Sequence, residues 1–95
     1  MKIFLHSRAA DELRRIIEHY DEEQPGLGRS FVRQFDQVVG LCKRHPDIGP
    51  FLAAPHRRLV LRRFPYSLIY RIEGDTIRIV AIAHQHRKPG YWKDR

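Results

Sequence analysis

The apolar residues change their spacing part-way along the chain, and that change limits the folds open to it. Ala10, Leu13, Ile16, Ile17 and Tyr20 recur at helical spacing, as do Leu27, Phe31, Phe35, Val38, Val39 and Cys42. Each set draws an apolar stripe along one side of an α-helix. After residue 56 the pattern tends toward alternation, in three runs over 57–64, 67–73 and 76–84, as expected of strands. Pro65-Tyr66 and Gly74-Asp75 separate these runs, and the second pair is a strong two-residue hairpin signal. Helices first and a sheet afterwards make an α+β chain.

Residue chemistry marks the ends of these elements. Ser7 is the expected N-cap of the first helix. Pro25-Gly26 stops that helix, and His45-Pro46 closes the second, since the residue before a proline is pushed out of helical geometry. The short link implies an antiparallel helical hairpin. Residues 46–55 hold three prolines and a glycine and are expected to be a connecting loop. In the first strand run Leu59 and Leu61 fall on one face and Arg58, Val60 and Arg62 on the other, so the leucine face should pack on the helices. Phe31, Phe35, Leu13, Ile17 and Tyr20 are expected in the core, with Cys42 beside them as a small hydrophobe.

At 95 residues the chain has room for one domain, expected over 1–95. A lone cysteine excludes an internal disulfide, and the N-terminus lacks the apolar run of a signal peptide. No stretch approaches the roughly 18 apolar residues that span a bilayer. A cytoplasmic protein with no membrane partner is the expectation. The net charge is +7, and its distribution is uneven. Residues 1–50 carry eight Lys/Arg and eight Asp/Glu, whereas 51–95 carry ten Lys/Arg against Glu73, Asp75 and Asp94. A cationic field concentrated in one half attracts phosphate backbones or acidic proteins.

Two segments sharpen the reading. Arg62-Arg63-Phe64-Pro65-Tyr66-Ser67-Leu68-Ile69-Tyr70-Arg71 resembles the R-F-P-Y-x-I-x-Y step of the RelE/ParE toxin superfamily. Residues 81–92, from Ala81 through His84, His86, Arg87, Lys88 and Pro89 to Tyr91-Trp92, resemble the A-x-x-H-x-x-R-x-P-x-Y-W ending of its plasmid-stabilisation branch. The resemblance covers nearly the whole chain. It implies an N-terminal strand, a two-helix antiparallel hairpin and a three-stranded antiparallel meander. It also implies the toxin of a type II toxin-antitoxin module, a growth inhibitor neutralised by a cognate acidic antitoxin. ParE-like members inhibit DNA gyrase, the favoured target here; RelE-like members cut messenger RNA on the ribosome. A basic nucleic-acid-binding adaptor without toxicity is a third reading.

The residues allow a site of either kind. For RNA cleavage His84 and His86 are candidates for proton transfer, with Tyr91 to stack on a base or donate a proton. Arg58, Arg62, Arg87 and Lys88 are candidates for holding a phosphate or an acidic antitoxin segment. Such an enzyme would be metal-independent, since His84-x-His86 without a nearby carboxylate or cysteine makes a poor metal site. No cofactor is expected. RelE-like ribonucleases place an arginine six residues before their C-terminal tyrosine; here Gln85 stands six before Tyr91. Trp92 is expected to clasp the tail to the sheet.

Overall fold

A computed structural model describes all 95 residues. β1 (Lys2–Leu5) leads into α1 (Ser7–Glu23) and α2 (Leu27–Arg44), followed by β2 (Phe51–Ala53), β3 (His56–Val60), β4 (Tyr66–Glu73) and β5 (Thr76–His84). The five strands form one sheet in the order β1-β5-β4-β3-β2. β1 runs parallel to β5, and the other neighbours are antiparallel. The expected α+β arrangement is present, with β1 at the sheet edge and β3, β4 and β5 as the meander.

Local chemistry explains where the elements begin and end. The His6 amide donates to Ile79 O at the end of the β1–β5 pairing (2.9 Å), which holds His6 extended where the chain leaves the sheet. Its Nδ1 then accepts the Arg8 amide (3.1 Å). His6 is therefore the N-cap, and Ser7, expected in that role, is the first helical residue. Asp21 of α1 accepts the Gly28 amide (2.9 Å) and so satisfies a free donor at the start of α2. The helices touch so closely there that a Cβ on residue 28 would sit 2.7 Å from both Asp21 Oδ1 and Ile17 O.

The stripe of α1 and α2 packs on one face of the sheet. Ala9, Ile16, Phe31, Phe35, Val38 and Cys42 meet Leu61, Phe64, Leu68, Tyr70, Ile77, Ile79 and Ile82, with Leu13, Ile17, Tyr20 and Leu59 packed around them. Burial pushes the Cys42 thiol up to about 11, so it packs as an inert hydrophobe.

Segment 46–55 departs from the expected loop. Tyr70 Oη donates to Pro46 O (2.8 Å) and accepts the Gly49 amide (3.0 Å); a Cβ on residue 49 would lie 2.8 Å from that hydroxyl. Arg57 Nη1 donates to Asp47 O and Gly49 O (2.9 and 2.8 Å). Thus anchored, the chain pairs Phe51–Ala53 with β3. Pro50 and Pro55 flank this strand without breaking a ladder, because an edge strand needs no outer partner. β3 is correspondingly shorter than the expected 57–64 run. It ends at Val60, and Arg62 and Arg63 lie in a turn closed by the Leu61 amide on Tyr66 O (2.9 Å).

The sheet's second face is covered by the C-terminal tail, where Trp92, 2 % exposed, packs on Ile69, Val80 and Ala81. A bulge makes this possible. Ile69 pairs with Ala81 but Tyr70 with Ile79, leaving Val80 as an extra residue. Ile77, Ile79 and Ile82 consequently face the helices while Val80 and Ala81 both face the tail. β1 stops at the bulge, and α1 supplies what the exposed edge of β5 lacks: Glu12 Oε1 accepts the Ile82 amide (3.0 Å). Glu12 Oε2 pairs with Arg95 Nη1 (2.9 Å), which also donates to Val80 O (3.2 Å). Both side chains are more than nine-tenths buried. Breaking one side of such a pair leaves a buried charge uncompensated. Glu12→Ala is expected to cost about 3–5 kcal/mol in urea unfolding, whereas Glu12→Met with Arg95→Met is expected to cost much less. Equal losses in the two variants would show that the pair itself is not what the fold depends on.

Candidate functional site

Two adjoining depressions flank the end of β5 and share His84, Arg87 and Tyr91. The larger, about 210 Å³, lies between α1 and β5 and is otherwise lined by Glu12, Arg15, Ile16, His19, Tyr66 and Ile82. The smaller, about 70 Å³, opens on the tail face beside Arg58, Ser67, Lys88 and Trp92. Helical spacing aligns Glu12, Arg15 and His19 on one side of α1. The bulge at Val80 shifts the alternation of β5 and so turns His84 toward α1, where its ring meets the edge of Tyr66 at 5.0 Å.

Of the residues expected at the site, His84, Arg87 and Tyr91 come together, and Arg58 and Lys88 join them on the tail face. Arg62 does not. The early end of β3 sends it to a groove with Val38, Leu41, Leu59 and Val60. His86 lies beyond the strand and lines neither depression, although the turn holds its ring 5.4 Å from that of His84. Glu12, Arg15 and His19 were missed. Glu12 had a signal, being a lone carboxylate at helical spacing from buried Ala9 and Ile16.

The hydrogen bonds limit the chemistry. The His86 amide donates to His84 Nδ1 (3.1 Å), so the neutral His84 ring carries its proton on Nε2 and offers a donor there. Tyr91 is pushed up to about 12 by burial and the neighbouring Glu12 carboxylate, against Arg87 and Arg95; its phenol stays protonated at neutral pH. The Arg87 guanidinium stacks on the Tyr91 ring at 3.7 Å. Both oxygens of Glu12 are engaged. Among the residues lining the larger depression, donors and cations predominate.

A second network holds the tail in place. Arg71 and Arg78 stand opposite each other on β4 and β5, an unfavourable pairing of like charges. Both donate to the Arg95 backbone oxygen (3.1 and 3.3 Å), and Arg71 Nε pairs with Glu73 (2.6 Å). Arg71 Nη1 also lies 3.2 Å from His56 Nε2. The His56 ring packs 4.6 Å from Trp92. Burial, then the Arg71 charge, lower the His56 pKa below 6.5, so the unfolded chain takes up this proton before the folded one does. Stability from this group is complete above pH 6.5 and is lost as pH falls through the lower folded value. The urea midpoint is therefore expected to fall between pH 7.5 and about 5.5, and His56→Gln to flatten that fall. An unchanged slope in the variant would place the effect elsewhere.

A family model described as ParE toxin of type II toxin-antitoxin system, parDE, matches residues 3–89. The match stops short of Tyr91, Trp92 and Arg95. Among solved structures the chain is similar to one described as the chromosomal ParDE TA system from P. aeruginosa, with a TM-score of 0.77 and 26% identity, over 88% of this chain and 95% of that one. No curated protein matches.

Proposed function

Since the chain belongs to the ParE toxin family of type II toxin-antitoxin systems, we propose that residues 1–95 act as one growth-inhibiting toxin domain that targets DNA gyrase and is neutralised by an acidic antitoxin. The observation that carries the choice of target is that neither His84 nor Tyr91, the expected catalytic groups in the larger depression, nor Glu12 beside them offers a free proton acceptor. Cleavage through a 2′-hydroxyl needs a base. His84 Nδ1 is occupied, Tyr91 holds its proton, and Glu12 is bound to Arg95 and the Ile82 amide. Inhibition by binding needs none of these to take up a proton. In this reading Arg58, Arg87 and Lys88 form a cationic contact surface, and the acidic antitoxin segment occupies it by charge pairing while it orders itself.

A second reading, ribosome-dependent cleavage of messenger RNA, draws on the grouping of Arg58, Arg87 and Lys88 around His84 and Tyr91, with exposed His86 as the remaining base. One pair of assays separates the two. Purified protein is expected to inhibit supercoiling by DNA gyrase and to accumulate cleaved DNA, and Arg87→Ala with Lys88→Ala to weaken this by about tenfold or more. Primer extension on message from a cell-free translation reaction is expected to show no new ends. Normal supercoiling together with new ends abolished by His86→Ala would transfer the assignment to RNA cleavage.

A further inference from the structure

We infer that the depression between α1 and the end of β5 is a binding site for a dianionic phosphate group. Such a site would be present whichever partner the toxin acts on. Arg15 reaches the depression from α1 and Arg87 from the tail, and neither forms an ion pair within the molecule. The one carboxylate lining the depression is matched. Glu12 is paired with Arg95 (2.9 Å), with its other oxygen on the Ile82 amide (3.0 Å), and His19 Nε2 lies 3.3 Å from Glu23. Two guanidiniums thus face a concave, partly apolar space of about 210 Å³ without a counter-charge. Their combined charge matches a terminal phosphate, which carries close to two negative charges at neutral pH, better than it matches a carboxylate or a phosphodiester.

The donor geometry agrees with the charge. His84 contributes Nε2–H because its Nδ1 is held by the His86 amide. The Arg87 guanidinium sits over the Tyr91 ring, 3.7 Å from its centroid, a contact that holds the group in place and leaves N–H donors for an oxyanion. A phosphate offers three terminal oxygens, enough for two guanidiniums and one imidazole N–H together. Arg15 is exposed and Arg87 lies on the tail, so neither substitution disturbs the core.

The test follows the His84 imidazole and the arginine side chains of the full chain by NMR while inorganic phosphate is added at low ionic strength and pH 7.5. Saturable shifts are expected with a Kd in roughly the millimolar range, and sulfate should compete while acetate at equal ionic strength should not. Arg15→Ala and Arg87→Ala are each expected to weaken binding by about tenfold; Arg29→Ala, on the far helix, is expected to leave it unchanged. Linear, non-saturating shifts, or equal weakening by Arg29→Ala, would overturn the assignment and leave only diffuse charge attraction. A 5′-phosphorylated oligonucleotide that binds tighter than both inorganic phosphate and its 5′-hydroxyl counterpart would place a nucleic-acid end in the site. Equal binding of phosphorylated oligonucleotide and inorganic phosphate would make the free ion the ligand.

Discussion

The sheet edge that β1 leaves uncovered governs how the rest of the molecule is put together. β1 is only four residues long, and β5 runs on past it. Backbone donors and acceptors on that stretch need partners once the helices and tail exclude water. One carboxylate and one guanidinium provide them, Glu12 for the Ile82 amide and Arg95 for the Val80 carbonyl. The two charges neutralise each other in the process. A third strand edge, with the aggregation hazard it brings, is avoided by side chains alone. Because Arg95 belongs to the tail and Glu12 to α1, this arrangement also binds the tail to the first helix.

The tail in turn gives the sheet a second buried face. Trp92 covers Ile69, Val80 and Ala81, an aromatic burial of roughly 200 Å² that contributes about 5 kcal/mol before ordering costs. Arg71 and Arg78 would repel each other on this face, but the Arg95 backbone oxygen lies between them. Tail docking and relief of that repulsion are therefore one event. Arg87 and Tyr91, placed within the docked segment, inherit their positions from it.

The hydrophobic spacing made both helices, the Gly74-Asp75 hairpin and the core faces of Phe31, Phe35 and Leu61 legible, because those features depend on residues near in sequence. Phe51–Ala53 was hidden by its flanking prolines, which are harmful to an inner strand and harmless to an edge one. Ser7 was displaced as cap by His6, whose place is set by pairing with a strand more than 70 residues away. Arg62 looked equivalent to Arg58 by alternation, and it was lost from that face when the turn began at Leu61. The clearest limit concerns His84. Unbroken alternation from Ile77 and Ile79 would send it to the tail face, and one unpaired residue at Val80 reverses it. Nothing in the local sequence announces a bulge that leaves Ile82 facing the helices while Val80 and Ala81 both face the tail.

The same bulge separates recognition from chemistry at this site. By turning His84 toward α1 it sets the ring above the space that Arg15 and Arg87 border, and the following turn then covers Nδ1 with the His86 amide. A histidine whose acceptor nitrogen is capped in this way is prepared to donate and poorly suited to abstract a proton. Tyr91, sunk beneath a guanidinium and beside Glu12, is likewise a poor base and a serviceable donor. Oriented donors with little freedom to rearrange bind an anion at small entropic cost, and they hold it without reacting with it. For the proposed role, in which the toxin acts by occupying a partner rather than cutting one, rigidity of this kind is the property that matters. Rigidity here comes from the Glu12–Arg95 pair and the Trp92 clasp, which border the two depressions and tie the tail to α1 and to the sheet.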